Sequence, residues 1–195
     1  VAGRKLPDSW LTPDSREEWS CWLEEHGGSE AEVWLRIKKT GSKGAGIILA
    51  DAVTEALRFG WIDSRMLSLD EEGYILRFSP RRPGSVWSAG NRRRVEELGK
   101  AGLMTEAGLA AVRAAKESGQ WQKAYSSKEK PEVPADLLSE LEASPAAKSN
   151  FEGWCNSDQL QAVFWIGQAK RPQTRAKRIK EIAAMAKAGR RPNQE

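Results

Sequence analysis

The chain has 195 residues, 39% of them hydrophobic and 30% charged, and a net charge of +4. That length can bury one core, or one core with a helical extension, and the composition is that of a soluble protein with a rather polar surface. No apolar run approaches the roughly 18 residues of a membrane span, so no spanning helix is expected.

Ser15-Arg16-Glu17-Glu18 forms a capping box, and Trp19, Trp22 and Leu23 follow at helical spacing, predicting a helix over 16–25 that Gly27-Gly28 ends. Residues 32–39 alternate, with Val33, Leu35 and Ile37 on one face and Trp34, Arg36 and Lys38 on the other, the pattern of a half-buried strand. The glycine-rich stretch 40–46 lacks the Gly-Lys-Ser/Thr order of a phosphate loop. A helix over 50–59 ends at Gly60. Strands over 61–69 and 74–79 then flank a turn centred on Glu71-Glu72. That turn pairs Leu69 with Tyr74, Leu67 with Leu76 and Arg65 with Phe78, and sets Asp63 opposite Pro80, beside Arg81.

Beyond Ser88 the chain reads as helical. Ser88 and Thr105 cap two helices, the second closed at Gly119. Residues 126–134 are polar and Pro-bracketed, a linker. Ser144-Pro145 opens one helix and Ser157 caps another. A last helix over 172–188 keeps Ile179, Ile182, Ala183 and Ala186 on one face, before a frayed tail at 189–195.

Charge is uneven. Residues 1–72 carry 9 basic and 14 acidic side chains, and residues 73–195 carry 22 and 13. The positive end suits nucleic acid, an anionic lipid or an anionic ligand, or is a solvated helix face. Arg171, Arg175 and Arg178 share a helical face, with Trp154 and Trp165 nearby, but no named nucleic-acid motif is present, so that partner is the less favoured one. Cys21, Cys155 and the single His26 make no CxxC or HxxxH pair, so no metal site and no cofactor are expected. The two cysteines read as reduced structural thiols in helices. Val1–Pro7 has no apolar signal core and there is no disulfide framework, so the expected compartment is the cytoplasm.

The candidate site is the interleaving of Trp61 and Asp63 with Arg81, Ser85, Trp87 and Asn91, joined by Trp34 on its strand. Tryptophan is costly to expose and arginine costly to bury, so mixing them around one carboxylate implies either a built pocket or an Asp–Arg staple holding a loop. In the pocket reading Trp61 and Trp87 are flat walls, and Trp61→Ala weakens ligand binding by about 1–3 kcal/mol. Asp63 beside a guanidinium stays ionised, which suits binding better than general-base catalysis. Arg92-Arg93-Arg94 spans a wide arc, so one of the three at most turns toward the pocket.

The series Trp34, Gly60-Trp61-Ile62-Asp63, Phe78-Ser79-Pro80-Arg81-Arg82-Pro83, Trp87-Ser88 and Asn91 resembles the YdeI/OmpD-associated, or bacteriocin-protection, family. Later marks, among them Gly119-Gln120-Trp121 and Thr174-Arg175-Ala176-Lys177-Arg178, extend the resemblance over 15–187. It implies a link to an outer-membrane porin and to survival of antimicrobial peptides. Members often carry Cys before Phe-Gly-Trp-Ile-Asp, where this chain has Arg58, so a thiol role is not carried over.

These readings give an α+β fold: a core over 15–125 with a small, largely antiparallel sheet, a linker over 126–134, and a helical extension over 135–188. The expected function is binding of a small-molecule or peptide ligand in the Trp/Arg/Asp pocket, in stress or antimicrobial-peptide resistance. The alternatives are a small enzyme using Asp63 for acid–base or cyclisation chemistry, and nucleic-acid binding by the basic terminal helix.

Overall fold

Ser15 caps helix α1 (Arg16–His26), its Oγ accepting from the Glu18 amide at 3.2 Å. The Glu18 carboxylate turns back one residue further than a standard capping box, accepting from the Asp14 amide at 2.9 Å. The chain is described by a computed structural model over residues 5–126 and 130–192. It divides into two units, Val1–Tyr125 and Ser126–Glu195. Residues 127–129 of the expected linker, 193–195 of the expected tail and 1–4 at the start lie outside the described residues.

In the first unit, strands β1 (Val33–Lys38), β2 (Trp61–Ser68) and β3 (Gly73–Pro80) form an antiparallel sheet in the order β1-β3-β2. Helices α1, α2 (Leu49–Arg58), α3 (Ala89–Lys100) and α4 (Glu106–Glu117) complete the unit. The fold class is α+β. Its core gathers Trp19, Leu23, Leu35, Ile37, Leu57 and Phe78 with the other buried apolar side chains of the sheet and helices. Trp19 is fully buried, and its indole N–H donates to the Ala52 carbonyl at 3.1 Å, tying α1 to α2.

Two glycines set the close approach of α2 and α4. Gly60, which ends α2, has φ +76°, and a Cβ there would lie 2.9 Å from the Ala107 carbonyl oxygen. At Gly108 a Cβ would lie 2.1 Å from the Arg58 carbonyl oxygen, so no side chain fits. That same carbonyl accepts from the Thr105 hydroxyl at 2.7 Å, while Thr105 caps α4.

The hairpin register differs from the predicted one. Its tip closes Asp70 onto Gly73, with the Asp70 carboxylate accepting from the Glu72 and Gly73 amides at 2.9 and 2.7 Å. Leu69 then has no counterpart, so Ser68 pairs with Tyr74 and Leu67 with Ile75. A bulge sets Ser64 and Arg65 against Arg77 alone, and Asp63 pairs with Phe78 instead of Pro80. The two one-residue shifts together preserve the strand alternation. Asp63 therefore shares the face of Phe78, a core residue, and is partly buried.

The second unit holds α5 (Ala135–Glu142), α6 (Pro145–Glu152), α7 (Asn156–Gly167) and α8 (Pro172–Lys187). Leu137, Leu141, Phe151, Ile166, Ile179 and Ile182 are central to its own core. Pro145 starts α6, and the apolar face expected of the last helix is buried. Ser157 does not cap α7. The amides of Asp158 and Gln159 bond the Cys155 carbonyl, which makes Cys155 the cap and puts Ser157 in the first turn. Cys21 and Cys155 are both free, and both are exposed instead of structurally buried. Among the described residues, no helix is long and apolar enough to cross a membrane.

Candidate functional site

The end of β3 delivers Arg81 next to Asp63, as the local sequence requires: β3 runs to Pro80, and the Arg81 amide bonds the Gly60 carbonyl at 2.9 Å. The guanidinium lies over the indole of Trp87, its Cζ 3.6 Å from the ring centre. Its Nη1 donates to the Val86 carbonyl at 3.1 Å, so the 81–87 turn wraps around its own arginine. Nε and Nη2 are buried and have no hydrogen-bond partner. Leaving such donors unmet costs about 1–3 kcal/mol each, more for a charged group. Burial pushes the Arg81 pKa down to about 10, with Asp63 opposing that fall.

Asp63 and Arg81 form no ion pair with each other; they interact through space. The direct Asp–Arg staple is not formed, because the shift at the hairpin tip and the bulge together move Asp63 two residues down the partner strand. The direction of the Asp63 shift is nonetheless opposite to the one a neighbouring guanidinium alone would give. Burial raises its carboxyl above the ordinary 3.8 and outweighs its own backbone hydrogen bond and the nearby Arg81 and Arg94. Tyr74 and Tyr125 are both raised, by burial first and by the Asp63 charge second. These are the only two tyrosines in the chain. Their scarcity and shared location are the signal that reading Trp, Asp and Arg alone missed.

Of the Arg92–Arg94 triplet, Arg94 is the one that acts on Asp63. Its Nη1 donates to Asn91 Oδ1 at 3.1 Å. The buried Asn91 thereby orients that arginine, while its amide donates to the Ser88 cap at 3.1 Å. Asp63, Arg81, Trp87 and Asn91 thus belong to one neighbourhood, to which Tyr74, Arg94 and Tyr125 are added. Tyr125 is held there by backbone bonds to Trp87 and Ala89, 3.1 and 2.6 Å long.

The other expected site residues are placed elsewhere. Trp61 is a core side chain, 1% exposed, whose indole donates to the Gly27 carbonyl at 3.2 Å and meets Trp22 edge-on. Trp87 meets Trp121 at 4.9 Å on its other contacts, so Trp61 and Trp87 are not two facing walls. Trp34 lies across from Arg77, beside the Glu32–Arg77 ion pair. Ser85 accepts from the Arg82 amide at 2.9 Å and shapes the turn. Among the described residues no group of three His, Cys, Asp or Glu side chains is arranged to hold a metal.

The basic block of α8 is partly committed inside its own unit. Arg175 grips Asp136 through two bonds of 2.6 and 2.9 Å, and Arg178 lies over Trp165 at 4.9 Å. Trp154 is buried against Phe151.

Residues 11–111, just over half of the chain, match the family model described as Domain of unknown function (DUF8412). The chain belongs to this family. Residues 130–189 match a second model, described as Bacteriocin-protection, YdeI or OmpD-Associated, the family that the motif series resembles. No curated protein and no solved structure matches the chain. Asp63, Tyr74, Arg81, Trp87, Asn91 and Arg94 all lie within the DUF8412 match, whereas the bacteriocin-protection match covers the helical second unit.

The raised Asp63 carboxyl makes a stability prediction for this DUF8412 protein. Unfolded, the group titrates at its ordinary 3.8; folded, it titrates higher. Between those values the folded chain keeps a proton that the unfolded chain has released, so stability falls as pH rises through that window. Asp63→Asn carries no such charge. Its melting temperature should exceed that of the wild type at neutral pH, and the two should converge below the unfolded value. A lower melting temperature for Asp63→Asn at neutral pH would show instead that the ionised carboxylate stabilises the fold.

Proposed function

We propose that the first unit binds a small-molecule or peptide ligand at the Asp63–Arg81 neighbourhood, within a bacteriocin-protection-related role suggested by the match of the second unit. The observation that carries this reading is Arg81: a guanidinium buried on Trp87 with two nitrogens left unpartnered. A purely structural arginine would have those donors met, because each unmet donor opposes folding. A ligand acceptor that meets them turns that opposition into affinity.

Screening carboxylates, amines and short peptides by tryptophan fluorescence tests the reading. Arg81→Lys keeps the charge but removes the planar fork, and should weaken any hit by about tenfold or more, the scale of a charge-assisted hydrogen bond. A hit whose affinity is unchanged in a folded Arg81→Lys variant would place binding elsewhere.

The enzyme alternative draws on one observation, the raised Asp63 carboxyl between two tyrosines, which moves that group toward the range useful for acid–base work. Turnover of a screened compound that disappears in folded Asp63→Asn would put catalysis ahead of binding.

A further inference from the structure

We propose that this site takes a small carboxylate carrying a hydrogen-bond donor on the adjacent carbon, the pattern of an α-amino or α-hydroxy acid. The inference rests on the reading of Asp63 and Arg81 as a binding site and adds the ligand's chemistry.

Three surfaces of the Arg81 guanidinium can be assigned. One face is covered by Trp87, and Nη1 is used by the Val86 carbonyl. What is left is the edge formed by Nε and Nη2, buried and unpartnered. Those two N–H groups point the same way in one plane, which is the fork that two carboxylate oxygens fill side by side. A lone carbonyl oxygen would satisfy that edge less well.

The charges nearby agree and add a restriction. Arg81 and Arg94 both act on Asp63, so the three carry one net positive charge when Asp63 is ionised, which favours an anion. A bare carboxylate at the Arg81 edge would nevertheless meet the like charge of Asp63. Asp63 bonds its own backbone, makes no ion pair, and keeps acceptor capacity in a desolvated setting. An ammonium or hydroxyl beside the ligand's carboxylate would convert that repulsion into a hydrogen bond. A phosphate, larger and more highly charged, would meet a stronger repulsion from Asp63.

The full chain, labelled with 15N, reports directly through the Arg81 Nε–H and Trp87 Nε1–H resonances as glycine, glycolate and acetate are titrated. Glycine and glycolate should shift both resonances saturably and bind about tenfold more tightly than acetate, the scale of a hydrogen bond to a charged group. In Asp63→Asn that preference should largely vanish, with acetate binding at least as well as to the wild type. If acetate matches glycine and glycolate in the wild type, or the preference survives in Asp63→Asn, the ligand class is wrong. The binding-site reading then stands as long as acetate shifts Trp87 Nε1–H and Arg81→Lys abolishes the shift. If none of the three probes moves either resonance, the ligand class and the site reading both fail.

Discussion

Trp61→Ala should destabilise the first unit by about 3–5 kcal/mol, the loss expected when a fully buried tryptophan leaves a cavity. The side chain is 1% exposed, lies in the main core, and ties the loop after α1 to the sheet through its bond to the Gly27 carbonyl. Denaturant titration followed by circular dichroism measures the loss. Trp61→Phe should lose less, since most of the ring volume stays while the indole hydrogen bond goes. If Trp61→Ala keeps wild-type stability and loses only ligand affinity, Trp61 is a pocket wall after all, with the 1–3 kcal/mol binding effect that its neighbours in sequence suggest.

Replacing Arg16 and Arg58 together by Met should cost about 3–5 kcal/mol, because it leaves a buried carboxylate uncompensated. Glu55 on α2 is 1% exposed and is clamped by Arg16 Nε on one oxygen and by Arg58 Nη1 on the other. Arg58 also reaches the Leu103 carbonyl at 2.8 Å and the Ser20 hydroxyl at 3.4 Å, so it joins α1, α2 and the segment before α4. Adding Glu55→Leu to the double variant should restore most of the stability, since an apolar trio of similar volume avoids the desolvation that the charges require. Thermal melts of the single, double and triple variants decide it. A triple variant no more stable than the double would mean that the carboxylate is not the source of the loss. Arg58 is thus part of a charge cluster inside the first unit.

Much of the architecture follows from local chemistry. Ser15, Ser88 and Thr105 each cap the helix they precede, because a side-chain oxygen is placed three residues before an amide that has no partner within the helix. The alternation of Val33, Leu35 and Ile37 specifies a strand with one buried face whatever it pairs with, and the apolar face of α8 is set by its 3.6-residue period. These features depend on residues a few positions apart. The motif series likewise picked out Asp63, Arg81, Trp87 and Asn91, which do gather in one place.

What tertiary structure alone decided is how those residues meet. An unpaired Leu69 and a bulge at Ser64-Arg65 displace Asp63 by two positions, and neither is written in the alternation, because skipping a residue twice leaves the pattern of faces intact. Trp61 and Trp87 look alike in sequence, yet one closes a core and the other carries a guanidinium, a distinction that depends on Gly27 and Arg81 arriving from separate segments. Tyr74, Arg94 and Tyr125 reach Asp63 from a strand, a helix and the end of the unit, 11, 31 and 62 residues along the chain. Local propensity fixes caps, periods and turn tips, since those energies act between near neighbours. The burial that raises Asp63 and depresses Arg81 is a property of the assembled core, and it comes into being only when those distant segments exclude water together.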